Sequence, residues 1–254
     1  MAFLEIVSPL LASQLLIHHP FVLGSWLLAA LSGAEQVIGN ILLLAFVGGI
    51  TYTGVVRMRR SEARRTRQIE AALSGLGFTL HEELEELHVR FVGSFKIGQH
   101  GDSREIANRF ESTLYADGIT TLMDYSFWKG SGKHRHVIRQ TLALISDKRY
   151  ELPSFVLAPE NFFSRFKENF GAQDIDFEAF PNFSQMFNLR GDDEAAVRAL
   201  FTPAIIRELE RHPGITLEGR AGNLLIFRFK KRVKPENFPR FLEEAQQLAQ
   251  LFLP

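Results

Sequence analysis

The chain has 254 residues, with 29 basic and 29 acidic side chains, a net charge of +0, no cysteine, and 23 phenylalanines against 4 tyrosines and 2 tryptophans. Balanced charge argues against a general nucleic-acid binder, and the lack of cysteine excludes a disulfide scaffold, a thiolate metal site and cysteine catalysis. This length accommodates one membrane anchor with one or two compact domains.

Residues 1–36 are apolar but interrupted by Gln14, His18, His19 and Pro20. No basic region precedes this stretch and no small-residue cleavage site follows it, so a removable signal peptide is not expected. It is either a second span or an interfacial segment, because a His-His-Pro group at bilayer depth is costly unless it faces protein or water.

Residues 37–56 carry no charge, and in a helix such a run crosses a hydrocarbon layer of about 30 Å. Arg57, Arg59, Arg60, Arg64, Arg65 and Arg67 follow directly. Arginines clustered beside a span are retained on the cytoplasmic side, where they meet anionic lipid at the membrane surface. Residues 57–74, rich in good helix formers, are predicted to continue the membrane helix until Gly75 and Gly77 end it.

Residues 75–254 are predicted to form one cytoplasmic α+β domain of antiparallel hairpins packed with helices. Thr79 to Glu82 matches a capping box, with Leu80, Leu84, Leu87 and Phe91 at helical spacing behind it. His81 and His88 are seven positions apart and fail the zinc-protease spacing of four. Three strands over residues 110–115, 119–128 and 135–145 read as a meander, with Ile119, Thr121, Met123, Tyr125 and Phe127 on one face. The turn at 129–133 resembles the end of a phosphate-binding loop, but the full pattern fails because Phe127 stands at the first glycine and His134 replaces the metal-binding hydroxyl. Its tip still gathers Lys129, Lys133 and Arg135 with His134 and His136, a place for anion or partner contact.

Residues 152–157 read as a strand, followed from Pro159 by a helix to 169 whose Phe162, Phe163, Phe166 and Phe170 share one side, as core or as a hydrophobic ligand groove. Asp174, Asp176 and Glu178 alternate with apolar residues, so a strand here would place three carboxylates on one face. That arrangement suits a general acid and base, or a charged edge strand. No metal-ligand set is complete there and no cofactor motif is present. A helix opening at 191–194 and restarting at Thr202-Pro203, a hairpin of 215–218 with 223–232, and an amphipathic closing helix complete the chain. The second hairpin strand ends in the basic residues Arg228, Lys230, Lys231, Arg232 and Lys234.

The stretches MDYSFWKGSGKHR (123–135), LPSFVLAPE (152–160), DIDFEAFPNFS (174–184) and LRGDDEAAVRALFT (189–202) resemble a family of uncharacterised bacterial membrane-anchored proteins. The resemblance covers roughly residues 75–254 and implies a bacterial inner-membrane context with one soluble α+β module. No assigned activity comes with it, so no site residue is carried over.

Three functional classes follow. The first is a membrane-tethered, cytoplasm-facing interaction or regulatory module. Its partners would be the lipid bilayer and either another protein or a second copy of the chain, with no nucleic acid. The second is a metal-dependent hydrolase built on Asp174, Asp176 and Glu178 with His134 or His136. The third is a module that binds lipid or another hydrophobic ligand through the phenylalanine-rich region.

Overall fold

The computed structural model describes residues 33–81, 85–160, 162 and 174–254. The chain divides into two units, Met1–Arg64 and Arg65–Pro254. The interrupted apolar segment with His18, His19 and Pro20 lies outside the described residues, as does most of the phenylalanine helix expected after Pro159.

Helix α1, Gly33–Leu73, contains every described residue of the first unit and runs on into the second. It is long and apolar enough to cross a membrane. Most of the large apolar side chains of residues 37–56 are exposed, among them Ile41, Leu42, Leu44 at 72% and Phe46 at 66%. The two threonine hydroxyls of this stretch are satisfied within the helix. Thr51 donates to the Val47 and Gly48 carbonyls at 3.0 and 2.9 Å, and Thr53 to Ile50 at 2.9 Å. Such back-bonding removes the need for water at those positions.

The second unit begins inside α1. Ile69 and Leu73 are fully buried, and side chains of this kind each contribute about 1.5–3 kcal/mol when removed from water. Gly75 and Gly77 then take φ of +81° and +71° and turn the chain out of the helix, as left-handed backbone requires.

Thr79, expected as the cap of a helix, lies in a strand, and Glu82 of the expected capping box is outside the described residues. Thr79–Leu80 is a short strand, β1, paired with Glu111 and Phe110, and the Thr79 hydroxyl meets His81 Nε2 at 2.9 Å. Helix α2 is described over Glu85–Val92. Pairing with an open sheet edge outweighs a local helix signal here.

The meander is present as β2 (Asp102–Ser112), β3 (Gly118–Lys129) and β4 (His136–Asp147). Strand β2 begins earlier than the expected 110 and ends before 115, β3 gains a residue at each end, and β4 begins one residue later and runs two further than expected. Next come β5 (Phe155–Pro159), α3 (Pro181–Met186), β6 (Phe187–Gly191), α4 (Glu194–Leu200), α5 (Pro203–Leu209), β7 (Thr216–Arg220), β8 (Asn223–Phe227) and α6 (Phe238–Gln250). The described strands form one antiparallel eight-stranded sheet in the order β1-β2-β3-β4-β8-β7-β5-β6. The β7–β8 hairpin closes through Ala221 and Gly222, both with positive φ, the backbone of a tight turn whose twist matches that of the strands.

Both faces of the sheet are covered. Leu122, Ala143, Ile145, Leu217, Leu224 and Ile226 point to one side, against Ile69 and Leu73 of α1, the short helices α4 and α5, and the Phe238, Phe241, Leu242, Ala245 and Leu248 stripe of α6. Met123, Tyr125, Phe127, Leu142, Leu144, Leu225 and Phe227 point to the other, against Val92, Phe95, Ile97 and Phe162. The alternation along β3, β4 and β8 is therefore apolar on both faces, the pattern of strands at the centre of a three-layer unit.

Candidate functional site

The residues singled out in the sequence fall in separate places. At the β3–β4 tip, Gly130 and Gly132 adopt φ of +87° and +54° and a 3₁₀ turn covers Gly132–His134. Arg135 is engaged there: its Nη2 donates to Asp102 Oδ1 at 2.9 Å, and its guanidinium lies 4.8 Å from the centre of the Trp128 ring. It closes the end of the sheet. Lys133 is exposed, and His136 Nδ1 sits 3.0 Å from the His134 carbonyl.

The three acids at 174–178 do not form a strand, which corrects the shared-face expectation. Ile175 N–H donates to the Leu189 carbonyl at 2.8 Å, as a strand would. The return bond from Leu189 N–H goes to the Asp174 carboxylate at 3.0 Å, and Asn188 also donates to that carboxylate. The side chain thus takes the place of a backbone acceptor and pairing stops. Burial, with the neighbouring Asp176 charge second, pushes the Asp174 carboxyl up from its ordinary value. These acids lie beside β6 at one edge of the sheet, whereas His134 and His136 lie at an end of β4, with β8, β7 and β5 between. The acid–histidine constellation of a hydrolase is therefore not assembled. Among the described residues no group of three His, Asp or Glu side chains is placed to hold a metal.

Of the six arginines after the apolar run, Arg57, Arg59, Arg60, Arg64 and Arg67 are exposed, and Arg65 is not. Arg65 Nε and Nη2 donate to Asp124 Oδ2 and Oδ1 at 2.8 and 2.9 Å, and Nη2 also reaches the Val233 carbonyl at 2.8 Å. Asp124 accepts further bonds from Arg232 (3.0 Å), Asn108 (2.8 Å) and Thr141 (2.8 Å). Burial opposes ionisation of Asp124, but the bonds and charges of Arg65 and Arg232 outweigh it and hold the carboxyl below its ordinary value. The result is a charged clasp that joins the end of α1, strands β2, β3 and β4, and the segment after β8. Bidentate geometry of this sort suits arginine and not lysine.

Beside the clasp lies a cleft of about 640 Å³ between the chain leaving β8 and helix α6. Arg228, Arg232, Lys234 and Arg240 line it, together with His212, Glu243 and Glu244. Arg228 holds Glu244 through two bonds of 2.7 Å, and His212 Nδ1 lies 2.8 Å from the same carboxylate. Burial would raise the Glu244 carboxyl, but Arg228 and His212 lower it on balance. Lys234 and Arg240 are exposed and make no ion pair among the described residues. The run Arg228 to Lys234 is visible in the sequence as a basic patch. Its convergence with His212, Arg240 and Glu244, from α6 and the end of α5, is not.

On the opposite face of the sheet a single carboxylate is fully buried. Glu218 of β7 accepts the backbone N–H groups of Lys96 and Ile97 at 2.6 and 3.0 Å, and Arg220 donates to the Ser94 carbonyl at 2.7 Å. Burial pushes the Glu218 carboxyl up to about 7 despite those two bonds. Nothing in the sequence marks this residue, because an acid within a five-residue strand reads as an outward-facing one.

No protein-family model and no curated protein matches the chain. The resemblance of the four stretches noted above therefore rests on those residues themselves. A solved structure that is similar is that of the mycobacterial trehalose monomycolate transport factor A, with a TM-score of 0.50 and 10% identity over 74% of this chain and 96% of that one. At that identity the likeness is one of fold alone: a mixed helix and antiparallel-sheet architecture.

Proposed function

We propose that this protein is a membrane-tethered, non-catalytic interaction or regulatory module, with residues 37–56 as the tether and the unit Arg65–Pro254 on the cytoplasmic side. The observation that carries this reading is the apolar stretch of α1, whose large side chains are mostly exposed among the described residues and whose threonine hydroxyls are already bonded within the helix. A helix of that surface is costly in water and suited to a bilayer. The exposed arginines that follow supply the orientation. The mycobacterial protein of similar fold is described as a transport factor, and a non-catalytic role here agrees with that description. Partners are the bilayer and a protein or second copy engaged by the folded unit.

The tether is tested by fractionation. The protein is expected in the membrane pellet after washes with high salt and at alkaline pH, and protease added to inside-out vesicles is expected to digest the folded unit. Release by salt alone would mean that the arginines hold the protein by charge and that no helix spans.

A further inference from the structure

We infer that the cleft between the chain leaving β8 and helix α6 binds a phosphate-bearing anion, with Lys234 and Arg240 as its direct contacts and Arg228 and Arg232 as its basic floor. Five cations gather here, counting Arg65 behind the cleft, against the carboxylates Asp124, Glu243 and Glu244. Asp124 is shared between Arg65 and Arg232, and Glu244 is covered by Arg228 and His212. These pairings leave positive charge in excess and fix two guanidinium groups in place before any ligand arrives. Preorganisation of that sort reduces the ordering cost of binding. Lys234 and Arg240 remain as exposed donors, and Glu243 is the one lining carboxylate with no ion pair among the described residues. A phosphate group presents enough charge and enough acceptor oxygens to satisfy several such donors together, which a single carboxylate does not. A volume of about 640 Å³ fits a phosphate with a small organic group attached, within the usual range of ligand pockets.

Two sources share this chemistry: a phospholipid headgroup and a soluble phosphate ester. Only the lipid source rests on the tethered reading, in which Arg65 follows Val56 by nine positions in the chain.

The test is calorimetric titration of the full chain in an uncharged detergent. The probes are inorganic phosphate and, separately, dihexanoyl phosphatidylglycerol below its micelle concentration. Saturable binding of at least one probe is expected, weakened tenfold or more in Lys234→Glu/Arg240→Glu with an unchanged Tm, since both residues are exposed. Tenfold tighter binding of the lipid than of phosphate would identify the headgroup as ligand, and equal or tighter phosphate binding would identify a soluble ester. A chain in which Arg57, Arg59, Arg60 and Arg64 are all glutamine is expected to bind as the parent does. No binding of either probe, unchanged binding in the cleft variant, or loss in the glutamine chain alone would each overturn the assignment. Fractionation reads the tether independently, so the two readings fail separately.

Discussion

Arg65 and Asp124 are joined by two parallel bonds of 2.8 and 2.9 Å, with side-chain exposures of only 13% and 6%. One arginine of a run that otherwise faces solvent is thereby built into the folded unit. Removing one partner of a buried pair strands the other charge, at a cost of about 3–5 kcal/mol. Asp124→Ala, which leaves both guanidinium groups without their carboxylate, is therefore expected to lower stability by that order in urea unfolding, and Arg65→Ala by less, because Arg232 still faces Asp124. Arg64→Ala, one position away and exposed, is expected to stay within about 0.5 kcal/mol of the parent. Equal effects at 64 and 65 would mean that the clasp contributes nothing specific.

Acid should release the same clasp. Asp124 is held below its ordinary value of 3.8 in the folded protein. The stability it supplies is present above that value and is lost as pH falls through and below it. In Asp124→Asn the component of acid destabilisation below about pH 4 should shrink, which unfolding curves collected between pH 2 and 6 would show.

Glu218 has the opposite sign. Its carboxyl rises from an ordinary 4.5 to about 7 through burial, so its contribution is fully present below pH 4.5 and declines as pH rises to about 7. A shift of that size corresponds to about 3 kcal/mol, at roughly 1.4 kcal/mol for each pH unit. Glu218→Gln keeps an acceptor for the Lys96 and Ile97 amides and removes the charge. It should match the parent near pH 4 and be more stable than it at pH 8. A parallel decline in both proteins would assign the pH dependence elsewhere.

Much of this architecture is legible in the sequence where the signal is local. The meander, the last hairpin, the helix restart at Thr202-Pro203 and the closing helix all follow from alternation, turn chemistry and helical spacing. The hairpin, however, turns at Ala221 and Gly222 alone, and its second strand ends at Phe227, short of the expected 232. Thr202 does cap α5, accepting from Ile205 N–H. What escapes is set by distant partners. Thr79 and Leu80 are drawn into a strand by an edge thirty residues away, and Asp174 ends a strand by bonding Leu189 through its side chain. Arg65 is indistinguishable in the sequence from Arg64, because only the buried carboxylate at 124 separates their roles. The cleft likewise combines an end of α5, the exit of β8 and the first turns of α6, which no spacing rule connects.

The carboxylates at 174–178 should behave as structural or solvated groups. Asp174→Ala removes the acceptor for Leu189 N–H and Asn188, and loss of such a bond costs about 1–3 kcal/mol when the donor is left buried. Glu178→Ala, at an exposed position, should stay within about 0.5 kcal/mol. Millimolar Mg²⁺ should leave the Tm of the parent chain unchanged. A rise in Tm with Mg²⁺ that disappears in Asp174→Ala would restore a metal role for this segment.

The phenylalanine-rich region is packed as core where it is described. Phe155 stacks edge-on against Phe201 at 5.1 Å and lies 5.8 Å from Phe252, and it covers Gly219 on the neighbouring strand. A methyl group at Gly219 would meet the Phe155 ring at 2.1 Å, and the ring is 2% exposed with no room to retreat. The pairing of a ring with a bare glycine across a strand fills the space that the missing side chain leaves. Phe155→Ala should therefore cost about 3–5 kcal/mol, and Gly219→Ala about 1–3 kcal/mol by overpacking. Because each change relieves or creates the same contact, Phe155→Leu/Gly219→Ala should cost less than the sum of its parts, a coupling measurable by a double-mutant cycle. Strict additivity would show that the ring does not rest on Gly219. Exhaustive lipid extraction that lowered the parent Tm while leaving Phe155→Ala unaffected would instead mark this cluster as an occupied hydrophobic site.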